Sequence, residues 1–212
     1  MPHSIGAPMK YSARHLRSSL LLLLLLSSLS SLAAVRETQN VVSAIDGDTV
    51  IFGTGEHARL IGIDTPERNQ QFYSEAKEYL ASLVEGKQVN IHYDKETRDQ
   101  YGRLLIYMNL ETGEFVNEEM IHSGLAKVYS FAPNFKHHDH LVEIQRESIE
   151  AKRGLWETEP KGEEEYYVGN AKTLRFHRPD AKEAKGIKNP VKFQTRIEAF
   201  KAGYSPHRGC NP

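Results

Sequence analysis

The sequence predicts a mainly β, α+β protein: a five-stranded Greek-key barrel of the OB type with about three flanking helices, then a small C-terminal α/β module. Three observations point there. Short runs of alternating apolar residues are divided by turns bearing Gly and Asp. One amphipathic helical repeat interrupts these runs midway. A charged linker, residues 158–165 (Thr-Glu-Pro-Lys-Gly-Glu-Glu-Glu), then sets off residues 166–212, which are poor in large aliphatics.

Residues 1–34 are read as a leader rather than as part of the fold. Lys10, Arg14 and Arg17 give a basic start, Leu20–Leu26 is an unbroken leucine run, and Ser27–Ala34 is small and mostly polar. That order is the layout of a secretory signal peptide. The apolar stretch from Leu20 to Leu32 falls short of the roughly 20 residues a membrane-spanning helix needs. No cysteine is present there to carry a lipid. The expected product is secreted or periplasmic, with no stable membrane association after cleavage; an uncleaved anchor is the rival reading.

The barrel domain is expected over residues 35–157. Val41–Ile45 and Thr49–Phe52 read as strands around the turn Asp46-Gly47-Asp48, and Ala58–Ile63 returns after Gly53-Thr54-Gly55. Ser74 is the expected cap of a helix whose apolar face is Ala76, Tyr79, Leu80, Leu83 and Val84, and Gly86 stops it. Val89–Tyr93 and Arg103–Met108 form a further strand pair. Val116–His122 is a short helix, Ala126–Tyr129 a short strand, and His140–Lys152 a longer helix.

Charge narrows the function classes. The whole chain carries 27 Lys and Arg against 28 Asp and Glu. Without residues 1–34, which hold three basic residues and no acids, 24 face 28, a formal charge of −4. Such a protein is not drawn to a polyanion by its overall field, so nucleic-acid binding would need a local basic cluster or a bound cation. The single cysteine, Cys210, excludes an intramolecular disulfide.

Three segments carry chemistry: Asp46-Gly47-Asp48-Thr49, the run Arg59-Leu60-Ile61-Gly62-Ile63-Asp64-Thr65-Pro66-Glu67, and Asp99-Gln100-Tyr101-Gly102-Arg103. Each alone could be a structural turn or strand end. Together they supply what a phosphodiesterase needs. A hard cation takes carboxylate and carbonyl oxygens from more than one segment, here Asp48, Asp64 and the Thr65 carbonyl. Arg59 and Arg103 offer planar, permanently charged donors for phosphate oxygens. Glu67 is left to act as general base or to orient water.

Residues 40–157 resemble the thermonuclease family, the staphylococcal-nuclease-like domains built on an OB-fold barrel. The resemblance rests on the three segments above, in order, and extends through Glu75-Ala76-Lys77, Glu85-Gly86-Lys87 and Gly154-Leu155-Trp156. It implies one Ca2+ held by Asp48, Asp64 and the Thr65 carbonyl, with Arg59 and Arg103 on the scissile phosphate and Glu67 as base or water-orienting group. It also implies hydrolysis of DNA, RNA or both at the 5′ P–O bond, leaving 3′-phosphates, by a monomer.

Tyr101 and Tyr129 are candidate stacking surfaces for bases, and edge-of-core tyrosines are the alternative. His137-His138-Asp139-His140 reads as a solvated helix start, because adjacent residues diverge around a helix. The C-terminal segment resembles a small zinc-binding appendage found after some nuclease domains. His177, His207 and Cys210 are the candidate Zn2+ ligands, but Ala181 stands where such modules carry a cysteine. Zinc binding and a degenerate module held by packing both remain open. The functional rival to an enzyme is a non-catalytic barrel that binds single-stranded nucleic acid or a protein partner. The presence of both arginines and all three acids favours the enzyme.

Overall fold

Alternation along the chain resolves into a closed barrel in the computed structural model, which describes residues 37–158 and 164–210. The predicted leader and most of the predicted linker lie outside those residues, as does the Cys210 side chain. The barrel order is β1 (Glu37–Ala44), β2 (Thr49–Phe52), β3 (His57–Leu60), β6 (Leu104–Leu110) and β5 (Gln88–His92). Closure depends on β1, which pairs with β5 over residues 37–40 and with β2 from Val41 onward. The register breaks between Val41 and Ser43, which lets one strand bend around a barrel corner and turns Val42 out to solvent. β3 runs parallel to β6, which brings the second and third motif segments side by side.

The run predicted as one strand, Ala58–Ile63, is two. Gly62 takes φ +82°, and the chain turns there into β4 (Gly62–Asp64), which leaves the barrel and pairs with β7 (Lys127–Tyr129). A Cβ at Gly62 would also lie 2.9 Å from Leu141 Cδ1, so glycine answers both a backbone and a packing demand. This break takes Asp64 out of the barrel sheet and into a two-stranded one.

Three helices close the barrel: α1 (Tyr73–Val84), α2 (Val116–His122) and α3 (His138–Glu150). α1 buries Ala76, Leu80 and Val84, and α2 buries Val116, Met120 and Ile121, all in one cluster with Val50, Phe52, Leu60 and Ile106. Ser74 does not cap α1. The chain enters through Phe72 at φ 67° after a turn in which Gln70 Oε1 accepts the Glu67 N–H, so Ser74 falls inside the first turn. α3 starts at His138. Its histidines diverge as expected, with His138 Nδ1 3.0 Å from Ser130 Oγ and His140 paired with Glu118. The start is not fully solvated, however: His137 and His138 are half-buried, and His137 packs edge-on against Tyr107 with ring centres 4.4 Å apart.

Asn117, fully buried on α2, pins the strand break. Its Oδ1 accepts the Met108 N–H at 3.0 Å and its Nδ2 donates to the Ile61 carbonyl at 2.9 Å. Asn117→Ala strands both main-chain groups, and we expect a loss of about 3 kcal/mol, read as a lower urea midpoint at unchanged slope.

Residues after the linker build a four-stranded sheet in the order β10 (Pro190–Phe193), β8 (Tyr167–Asn170), β9 (Arg175–His177), β11 (Ser205–Pro206), with α4 (Lys182–Lys185) and α5 (Arg196–Lys201). Its core is aromatic: Tyr167, Phe176, Phe193, Phe200 and Tyr204 cluster with Ile149 and Trp156 from the preceding chain. The described residues therefore belong to one compact unit. Buried Gln145 ties it together: its Oε1 accepts the Val128 N–H at 2.7 Å, and its Nε2 donates to the Phe200 carbonyl at 2.6 Å.

Candidate active site

The Asp46-Gly47-Asp48 turn between β1 and β2 is folded by its own carboxylate, because Asp46 Oδ1 accepts the Asp48 N–H at 3.0 Å. Gly47 fits under it. A Cβ there would come within 2.8 Å of both Ala76 Cβ and Thr65 Cβ, so the turn, α1 and the Asp64–Glu67 segment lie in close contact. Asp48 is consequently only 3% exposed.

Arg59, in register opposite Thr49, reaches back over the turn. Its Nη1 pairs with Asp48 Oδ1, and its Nη2 lies 3.4 Å from Asp64 Oδ1 and 3.4 Å from the Ile63 carbonyl. Thr49 Oγ1 donates to Asp48 Oδ1 at 2.9 Å. Burial nevertheless dominates and pushes the Asp48 carboxyl up to about 6, against the pull of Arg59 and with Asp46 and Asp64 adding to the rise. For Arg59, burial opposes the charge, and Asp48 and Asp64 outweigh it, so its pKa is raised.

Arg103 is held by a second carboxylate-folded turn. Asp99 Oδ1 accepts the N–H groups of Tyr101 (2.9 Å) and Arg103 (3.0 Å), while Asp99 Oδ2 takes Arg103 Nε and Nη2, both at 2.8 Å. Burial would raise the Asp99 pKa, but these donors overcome it and hold the carboxyl below its ordinary value. The guanidinium lies 5.7 Å from the Tyr101 ring, which is 76% exposed.

One groove of about 1260 Å³ gathers the predicted residues. Asp48, Asp64 and buried Thr65 lie along it with Arg59 and Arg103, and exposed Glu67 stands on the turn after β4. Tyr101 and Tyr129 line it as well. His177 ends β9 and His207 follows β11 in the C-terminal module, and neither is part of this lining.

Several groups in the groove escaped the sequence reading as site residues. Asp46 joins the carboxylate group around Arg59. Lys127 stands opposite Asp64 in the β4–β7 pair. Arg208 enters from the C-terminal module, and nothing in its local sequence singles it out. Arg175 lies with its guanidinium carbon 3.8 Å from the centre of the Tyr129 ring, so a base could stack on that tyrosine only from the opposite face.

Residues 57–158 match the family model described as Staphylococcal nuclease homologue. Over 132 residues the chain is 33% identical to the Thermonuclease of Staphylococcus hyicus, an overlap covering 58% of this chain and 78% of that protein. It is 36% identical over 119 residues to an Uncharacterized endonuclease of Escherichia coli O157:H7, covering 55% of this chain and 74% of the other. The SPbeta prophage-derived endonuclease YokF of Bacillus subtilis (strain 168) is 33% identical over 124 residues, covering 53% and 42%.

Proposed function

The chain belongs to the staphylococcal nuclease family and is a hydrolytic nuclease with nucleic acid as its substrate, and from that premise we propose an exported, calcium-dependent enzyme that cleaves DNA, RNA or both at the 5′ P–O bond and leaves 3′-phosphate ends. The observation that carries this reading is the convergence of Asp48 on its turn, Asp64 at the end of β4 and two guanidinium groups on one groove.

The donor set suits a hard cation. Asp46, Asp48 and Asp64 surround the single guanidinium of Arg59, an excess of negative charge at a site where burial already penalises ionised Asp48. Asp48, Asp64 and the Thr65 carbonyl are the proposed calcium ligands. Bound there, the ion supplies Lewis-acid polarisation of a phosphate oxygen. Arg59 and Arg103 donate to the non-bridging oxygens and match the charge that builds on them in the transition state. Glu67, exposed beside the groove, takes a proton from the attacking water or orients it. The bond from phosphorus to O5′ breaks, and O5′ takes a proton from solvent water and departs as a hydroxyl, while the proton removed from the attacking water passes to solvent. Tyr101 and Tyr129 offer ring faces that accept any base, in keeping with sequence-tolerant cleavage. Every group comes from one chain, so a monomer suffices.

Export rests on the basic, leucine-rich and small-residue order of residues 1–34. Among the described residues no helix is long and apolar enough to cross a membrane.

End-group analysis tests the bond assignment. Products of single-stranded DNA should resist polymerase extension until a phosphatase removes the 3′-phosphate, and their 5′-hydroxyls should accept label from a kinase. Products that extend at once, with 5′-phosphates, would overturn it.

A further inference from the structure

Outside the groove, three side chains from three separate elements of the C-terminal module converge. β9 ends in His177, α4 carries Glu183, and His207 follows β11. β9 and β11 run parallel with Phe176 opposite Pro206, and the His207 N–H donates to the Phe176 carbonyl at 2.9 Å. That pairing sets the two imidazoles beside each other, with ring centres 4.7 Å apart and planes 28° from parallel. One ligand atom from each histidine and from Glu183 all lie within 4.8 Å of one another.

The environment of His177 is the second observation. The residue is 4% exposed, and its buried Nδ1 has no hydrogen-bond partner. A buried ring nitrogen without a partner costs free energy unless something else uses it.

We propose that His177, Glu183 and His207 form a binding site for one divalent ion of the zinc class, separate from the catalytic groove. Two imidazoles and one carboxylate suit a borderline ion and are too few oxygens for calcium. Glu183, on a short exposed helix, is the ligand that sequence spacing did not disclose. The ion ties β9 to the turn after β11, where Arg208, the residue after His207, lines the nuclease groove. It would thereby fix the segment that carries a groove cation, and it would staple a module too small to rely on its own core.

Zinc binding by the purified untagged protein, followed by competition with a chromophoric chelator in excess calcium and without nucleic acid, tests this independently of cleavage. One zinc per chain is expected, with a rise in Tm. Glu183→Gln and His207→Ala should each weaken binding by at least about 10-fold and remove the Tm rise. Cobalt in place of zinc should give visible d–d absorption that both variants lose. No stoichiometric zinc binding overturns the site. So does binding that Glu183→Gln leaves intact while Cys210→Ser abolishes it, because the thiol would then be the ligand. Glu183 is exposed, so its variant separates loss of a ligand from loss of the fold.

Discussion

Arg103→Ala is expected to lower kcat on single-stranded DNA by roughly 10³- to 10⁵-fold, the range found where an arginine carries transition-state charge in phosphoryl transfer. The fold should tolerate the change. Arg103 is only partly buried, and its partner Asp99 keeps the Tyr101 N–H and the main-chain N–H of residue 103 as donors, so no buried carboxylate is abandoned. Thermal unfolding should shift by no more than a few degrees. Arg103→Lys keeps the charge but loses the planar fork and should fall between parent and alanine. The two arginines differ in this respect. Arg59→Ala would strip buried Asp48 of its counter-charge and confound activity with stability, so Arg103 gives the cleaner reading. Single-turnover rates within 10-fold of the parent would remove Arg103 from the phosphate clamp.

Asp48→Asn should weaken calcium binding by roughly 100-fold or more and abolish cleavage at moderate calcium, because affinity at oxygen sites follows the number of charged ligands. Its effect on stability should run the other way. The Asp48 carboxyl is pushed up to about 6 in the folded chain from an ordinary value near 3.8, so folding favours its protonated form. That contribution is fully present below the ordinary value and is lost as pH rises through about 6. In calcium-free buffer the parent should therefore lose stability between those two pH values, and the asparagine variant should not show that slope. Added calcium should stabilise the parent at neutral pH and leave the variant unchanged. Calorimetric titration with calcium and unfolding curves across pH check both halves. An asparagine variant that binds calcium like the parent would remove Asp48 from the ligand set.

The barrel was legible because its strands alternate and its turns contain the residues that turns require. Val50, Phe52, Leu60 and Ile106 are fully or almost fully buried where period-two patterning put them. The break at Gly62 was not legible, since an apolar run reads the same whether or not the chain changes partners within it. Only the pairing of β4 with β7, distant in sequence, decides that. The Ser74 cap failed for a local reason, because the turn held by Gln70 starts the helix one residue before that serine. In the site, Asp48, Arg59, Asp64 and Arg103 could be named in advance because they sit on turns and strand ends with recognisable chemistry. Arg208, which lines the groove, and the Arg175 guanidinium over Tyr129 could not, since both come from the module after the linker and are placed there by tertiary packing. The same module looked too poor in aliphatics to form a core, yet its aromatics close around Trp156 and Ile149 supplied by the barrel domain.

In the proposed mechanism a cation on Asp48 and Asp64 works together with Arg59 and Arg103 to hydrolyse a phosphodiester. The direct measurement is degradation of single-stranded DNA by the purified protein with calcium, against the same reaction in excess chelator. Rapid cleavage with calcium, loss of cleavage on chelation, and full recovery when calcium is restored are expected. Cleavage undiminished in excess chelator, or none in calcium, would contradict the mechanism.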